Sequence, residues 1–266
     1  MSESKLNLDS IKGLLIDING TLYFKDEIIP NSIETIQRLE ELGVSLIYLT
    51  NTDSKTPYQV WKTLKKFTFP IKQRQVFTPI IALKRYLKQY PKKKSYFILS
   101  KQVEKEFEEF PRVKESEIPD FVVLGDFRDD WDIHRLNKGF KYILNGARLL
   151  GTQGNKYFLD NKGEPVLDTG AFTSMIANIA KIEPKIFGKP AKSYFELALN
   201  ALQLRNDQVL LIGDDIESDI KGAINAGIQS ILVKTGKAES FKQISPNARD
   251  FIIIDSFPHI LDLFSY

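Results

Sequence analysis

Short apolar runs alternate along this chain with stretches in which apolar residues recur every three or four positions. Residues 11–16 form the first run, which ends at Asp17-Ile18-Asn19-Gly20-Thr21. A run of that length closed by turn residues reads as a buried strand. Ile33, Ile36, Leu39 and Leu42 then give helical spacing, with Asn31 and Glu34 placed as a capping box and Gly43 as a stop. Residues 44–50 are a second apolar run that stops at polar 51–54, and Pro57 opens a helix to about residue 66. Strand–helix–strand–helix alternation predicts parallel strands joined by helical crossovers. The same grammar returns towards the C-terminus, with a helix over 190–202, a strand over 209–212, a helix over 217–226 closed by Gly227, strands over 230–233 and 251–254, and a last helix over 257–264.

The middle of the chain follows its own order. Thr78-Pro79 opens a helix to about residue 89, and 96–99 and 121–124 read as strands. Residues 131–147 form an amphipathic helix with Ile133, Leu136, Phe140, Ile143, Leu144 and Ala147 on one face. Residues 149–152 and 157–159 flank a Gly/Asn turn and read as a hairpin, and 170–181 as a further helix. The fold class predicted is α/β: a Rossmann-like parallel-sheet core in two pieces, 1–79 and 183–266, around an inserted α/β domain at 80–182.

Composition narrows the function classes. A length of 266 residues suits about two domains. With 37 basic and 34 acidic residues the net charge is +3, too weak to argue for nucleic acid or an anionic membrane as partner. No window approaches 18 apolar residues and the first residues lack the pattern of a signal peptide, so a soluble, cytoplasmic protein is expected. The absence of Cys excludes disulfides, iron–sulfur clusters, thiol nucleophiles and cysteine zinc sites. The two histidines, His134 and His259, are too few for a His-rich metal site and read as structural or surface residues.

Candidate chemistry lies where apolar runs end. Asp17-Ile18-Asn19-Gly20-Thr21, Thr50-Asn51-Thr52 and Gly213-Asp214-Asp215 continuing to Asp219 all follow predicted strands. In open parallel sheets ligands bind at the carboxyl ends of strands. If these strands are neighbours, Asp17 and Asp214 converge, and their charges repel unless a cation neutralises them. An all-oxygen donor set of this density suits Mg²⁺ together with a phosphate. Lys189, in Gly188-Lys189-Pro190, would complete such a site. Each piece alone has a plain reading: a tight turn, a strand exit, a loop lysine, a helix cap. Their order and placement make the joint signal.

This set resembles the haloacid dehalogenase superfamily of phosphotransferases, whose four motifs stand here at 17–21, 49–52, 188–190 and 213–219. The insertion falls between the second and third motifs, where the subfamily with a large α/β (type IIA) cap carries it. The resemblance implies that Asp17 is a nucleophile that becomes an aspartyl phosphate. It implies that Thr50, Asn51 and Lys189 hold the phosphoryl group. Asp17, Asp214 and the backbone carbonyl of Asn19 would bind Mg²⁺, with Asp215 and Asp219 supporting. Asp168-Thr169-Gly170 matches a cap loop that helps select the substrate, although as a local sequence it reads as a helix cap. The partner implied is a small phosphorylated compound, and a homodimer paired through the cap is a further expectation.

Position 19 departs from the family pattern. Most phosphatases of this family carry a second Asp there, as the acid and base of the reaction. The Asn19 amide exchanges no proton at neutral pH, which removes a contribution of about 10²–10⁴-fold. Three readings follow: an enzyme for substrates with undemanding leaving groups, such as inorganic pyrophosphate, acyl phosphates or phosphoramidates; a slow phosphatase; or a non-catalytic phosphate-binding or regulatory member.

Overall fold

The computed structural model describes residues 10–160, 162–237 and 251–264. Its larger sheet has six parallel strands in the order Ile252–Ile254, Gln229–Val233, Val209–Gly213, Gly13–Asp17, Ser45–Leu49 and Val76–Phe77. The two central strands, Gly13–Asp17 and Val209–Gly213, are buried along their whole length, and their unbroken Leu/Ile runs follow from burial on both faces. In register, Leu15 lies beside both Leu211 and Ile47, and Asp17 beside Leu49.

One face, with Leu15, Ile47, Leu211 and Leu232, packs on Tyr194, Phe195 and Ala198 of the Lys192–Leu202 helix. The other, with Leu14, Ile16, Tyr48 and Ile212, packs on the Ser32–Glu41 and Pro57–Lys66 helices through Ile36, Leu39, Val60 and Leu64. Each such side chain contributes about 1.5–3 kcal/mol of burial.

The inserted segment builds a second parallel sheet, in the order Lys185–Ile186, Arg148–Gly151, Phe121–Leu124, Ser95–Ile98, whose edge strand Lys185–Ile186 lies just beyond the expected end of the insertion at 182. Helices Ile133–Leu144 and Thr169–Ala180 cover one face through Leu136, Ile143 and Ile176. The opposite face, with Phe97, Phe121 and Leu150, joins the same apolar cluster as the larger sheet.

Several local expectations change. Residues 148–151 do not pair with 157–159; they sit inside the parallel sheet, because Leu149 and Leu150 are both buried. Tyr157–Leu159 pairs instead with Pro165–Leu167 in a half-exposed hairpin. Asn31 does precede the Ser32–Glu41 helix, but with φ 64° and no side-chain cap bond, so the capping box does not form. The helix expected at 131–147 spans Ile133–Leu144, because Asp132 accepts from His134 N at 2.8 Å and fixes the first turn there. Trp131 is left outside, stacked on Phe127. The segment after Asp215 opens as a wide turn, Ile216–Lys221, before the short Gly222–Asn225 helix. Among the described residues no helix is long and apolar enough to cross a membrane.

Leu211 is completely buried at the centre of the larger sheet. Leu211→Ala should lower the free energy of unfolding by about 2–5 kcal/mol, read from the urea midpoint.

Candidate active site

Three neighbouring strands end side by side and deliver the first functional groups. The central strand ends at Asp17, the strand on one side leads into Thr50, and the strand on the other leads into Asp214. Asp17, Asp214 and Asp219 are buried, and each offers a carboxylate oxygen such that all three lie within 4.8 Å of one another. Lys189, only 3% exposed, points into this group. Its Nζ donates to Asp17 Oδ1 and, at 2.6 Å, to Asp219 Oδ1.

Asn51 holds that lysine by its backbone. Asn51 Oδ1 accepts from Lys189 N at 2.8 Å, and Asn51 Nδ2 donates to Lys189 O at 2.9 Å. The same amide donates to Asn155 Oδ1 of the inserted segment at 3.0 Å. Thr50 Oγ1 accepts from Thr52 N at 3.0 Å and donates to Thr52 Oγ1 at 2.8 Å. Beneath it, the Tyr194 hydroxyl lies 3.0 Å from Thr50 O and 2.8 Å from Phe77 O, tying two strand exits to one helix.

Two glycines make room for Asp214. A Cβ on Gly20 (φ 92°) or on Gly236 (φ 64°) would sit 2.2 Å from Asp214 Oδ2. Lys237 N donates to that same oxygen at 2.7 Å, and the Thr235 hydroxyl donates to Gly20 O at 2.5 Å. Asp215 caps the wide turn, accepting from Glu217 N at 2.9 Å and Ser218 N at 3.0 Å, and pairs with Lys237 Nζ at 2.6 Å. The Asn19 side chain is exposed.

Charge is unbalanced here. Burial, with Asp17 and Asp219 nearby, pushes the Asp214 carboxyl well above its ordinary range. Burial also pushes Asp219 up to about 7, although Lys189 opposes the rise. Burial disfavours the Lys189 ammonium, but Asp17 and Asp219 outweigh it and hold the proton on more firmly than usual. Burial would raise Asp215, yet Lys237 pulls it below its ordinary value. Burial and the Asp17 charge push the Tyr23 phenol up to about 12. Ionising all three carboxylates beside one ammonium would leave two negative charges in a buried space, which is why Asp214 and Asp219 hold their protons so firmly. A divalent cation with hard oxygen ligands would balance those charges, so the residues present fit Mg²⁺.

Asp168, Thr169 and Gly170 form a second cluster beside the first. Asp168 caps the Thr169–Ala180 helix, accepting from Thr169 N at 2.9 Å. The Thr169 hydroxyl donates to Asp53 Oδ2 at 2.8 Å, and the Thr152 hydroxyl donates to the same atom. Gly170 packs against backbone, since a Cβ there would lie 2.3 Å from the Gly154 carbonyl carbon. His134 is an exposed helix residue, and the His259 ring meets Ser256 Oγ at 3.0 Å.

Sequence reasoning missed Asp53, Asn155, Tyr194, Thr235 and Lys237. Thr235 and Lys237 had a usable signal, for they follow the apolar run 230–233 just as Asp17 follows 11–16. Asn155 had none, because its contact with Asn51 spans 104 positions.

Similarity to known proteins agrees with this geometry. A family model described as haloacid dehalogenase-like hydrolase matches residues 14–111, and a HAD-hydrolase-like model matches 186–260. The chain is 32% identical over 230 residues to 5'-nucleotidase YutF of Bacillus subtilis, covering 86% of this chain and 89% of that protein. It is 26% identical over 262 residues to phospholysine phosphohistidine inorganic pyrophosphate phosphatase of Xenopus laevis, covering 96% and 95%. The 4-nitrophenylphosphatase of Thermotoga maritima superposes with a TM-score of 0.84 at 25% identity, over 96% of this chain and 98% of that one. The chain belongs to the haloacid dehalogenase-like hydrolases, with the Rossmann-like core and inserted cap of that fold.

Burial and the neighbouring Asp168 and Asp126 carboxylates push Asp53 up to about 7, against the two hydroxyl bonds. An unfolded Asp titrates near ~4. The folded chain therefore binds this proton more tightly than the unfolded chain, and the associated stability is lost as pH rises from about 4 through 7. Asp53→Asn should match the parent's melting temperature near pH 4–5 and exceed it at pH 8. Equal melting temperatures at both ends of the range would contradict the shift.

Proposed function

We propose that this hydrolase is a Mg²⁺-dependent phosphatase that works through an aspartyl phosphate on Asp17. The observation that carries the reading is the buried Asp17–Lys189–Asp219 contact with Asp214 alongside, at the ends of adjacent strands. The names of these relatives, a 5'-nucleotidase, a phospholysine phosphohistidine inorganic pyrophosphate phosphatase and a 4-nitrophenylphosphatase, support it.

Asp17, Asp214 and the Asn19 carbonyl would hold Mg²⁺, which when bound supplies positive charge against the phosphoryl oxygens. An Asp17 carboxylate oxygen attacks phosphorus, a bond to the phosphoryl group forms, and the leaving group departs with the electron pair of the broken bond. Water then cleaves the acyl phosphate and restores the carboxylate. Lys189 offsets charge on the nucleophile and the phosphoryl group. Asn51 fixes Lys189 by its backbone, and Asp219 orients its ammonium. Thr50, with the backbone N–H groups of its loop, would hold phosphoryl oxygens. Asp215 acts from outside this ring by holding Lys237 and the turn that carries Asp219. The cap, placed at 80–182, excludes water during transfer.

Asn19 sets the substrate class. Without an acid at this position, leaving groups that need little protonation are favoured, and inorganic pyrophosphate and phosphoramidates are of that kind. The same residue favours a second reading, a low-activity or non-catalytic phosphate-binding protein.

The full chain with Mg²⁺ should turn over pyrophosphate, imidodiphosphate or acetyl phosphate faster than 4-nitrophenyl phosphate, and Asp17→Asn should reduce each rate to background. Activity persisting in that variant would remove Asp17 as nucleophile, and phosphate binding without turnover would establish the second reading. Asn19→Asp should raise 4-nitrophenyl phosphate hydrolysis, towards about 10²-fold. No gain would show that protonation of the leaving group does not limit this protein.

A further inference from the structure

We infer that Asp53 is a positioning residue that docks the cap onto the loop carrying Thr50 and Asn51, its carboxylate clasped by the hydroxyls of Thr152 and Thr169.

Asp53 leaves the larger sheet two residues after Asn51 and is only 2% exposed. Both of its donors belong to the cap: Thr152 follows the Arg148–Gly151 strand, and Thr169 opens the Thr169–Ala180 helix. Both hydroxyls reach one oxygen, Oδ2, and both threonines are buried. The charged groups around them are Asp168, Asp126 and Arg128. Arg128 is engaged elsewhere, since its N and Nε donate to Asp126 Oδ1 at 2.9 and 3.0 Å, and it stands 4.0 Å from Asp168. Hydroxyls, rather than a cation, therefore hold Asp53. Removing the acceptor would leave two buried hydroxyls without it, which favours an opened state where water satisfies them.

Two further contacts run from the same loop to the cap. Asn51 Nδ2 meets Asn155 Oδ1 at 3.0 Å, and Gln102 Nε2 donates to Ser54 O at 2.7 Å. Gln102 is exposed and Asn51 half-buried, whereas Asp53 is enclosed. A loop pinned at 53 fixes the approach of Thr50 and Asn51, and Asn51 in turn sets Lys189. This assigns Asp168 and Thr169 to cap docking. The catalytic consequence rests on the phosphatase reading; the docking itself does not.

The chain has no Cys, so one engineered pair can be labelled cleanly. Lys25 and Gly163 lie on facing tips of the core and the cap, with Lys25 Nζ 3.7 Å from where a Gly163 Cβ would be. The full chain carrying Lys25→Cys and Glu164→Cys would be spin-labelled and its distance distribution recorded at pH 6, where the enclosed carboxyl is largely neutral. The parent and Asp53→Asn should populate mainly the short, docked distance, because an amide oxygen still accepts both hydroxyls. Thr152→Val/Thr169→Val and Asp53→Ala should each lower the docked-to-open ratio at least about fivefold. In unlabelled protein the same variants should raise KM with Mg²⁺ affinity, read by calorimetry, unchanged. An unaltered distance distribution in Thr152→Val/Thr169→Val, or equal opening in Asp53→Asn and Asp53→Ala, would overturn the inference. If no substrate is turned over, the phosphatase reading fails while the distances still decide the docking.

Discussion

The structure around the site depends on one buried ammonium. Lys189 reaches between Asp17 and Asp219, all three shielded from water. Removing charges from water is expensive, and their mutual attraction offsets that expense only with close geometry. The geometry is supplied from two directions. Asn51 grips the Lys189 backbone on both its N–H and C=O, and Asp219 is set by the turn that Asp215 caps. Strand ends, turn and loop are thus arranged about a single pair of short contacts. The carboxylates outnumber the ammonium, and a cation that took the place of the protons held by Asp214 and Asp219 would balance them.

Much of this architecture was legible in the chain because parallel strands buried on both faces announce themselves as unbroken apolar runs. The runs ending at Asp17, Thr50 and Asp214 are adjacent in the sheet, so strand exits gathered Asp17 and Asp214, and the turn after Asp215 added Asp219. Lys189 was legible only through motif order, since its own surroundings look like a loop. Other features were hidden for physical reasons. Residues 149–152 and 157–159 flank turn-forming residues, yet the burial of Leu149 and Leu150 decides their partners, and burial is a property of the whole fold. Asp53 looks like any polar loop residue until Thr152 and Thr169, about a hundred positions away, close over it.

Asn19 and the cap bear on the same problem from opposite sides. An exposed amide at position 19 withdraws proton transfer from the chain's means, while a closely seated cap strengthens electrostatic effects by excluding water. On the proposed phosphatase reading, charge placement rather than proton transfer at position 19 would carry the chemistry, which suits leaving groups that need little protonation. The nucleotidase, pyrophosphate phosphatase and nitrophenylphosphatase to which the chain is similar are named for different phosphorylated substrates.

The pairing of Gly13–Asp17 with Val209–Gly213 has a consequence for how the chain comes into being. Leu14 and Leu210 are register partners, so the centre of the sheet closes a loop that contains the whole cap. Contacts of such sequence separation form slowly, because the entropy of closing the loop is lost before they stabilise anything. During synthesis the cap is complete before the partner strand emerges, and one apolar edge of the Gly13–Asp17 strand waits uncovered until then. Asp17 comes from one side of that gap and Lys189, Asp214 and Asp219 from the other, so their buried cluster cannot assemble until residues 189–219 have been made.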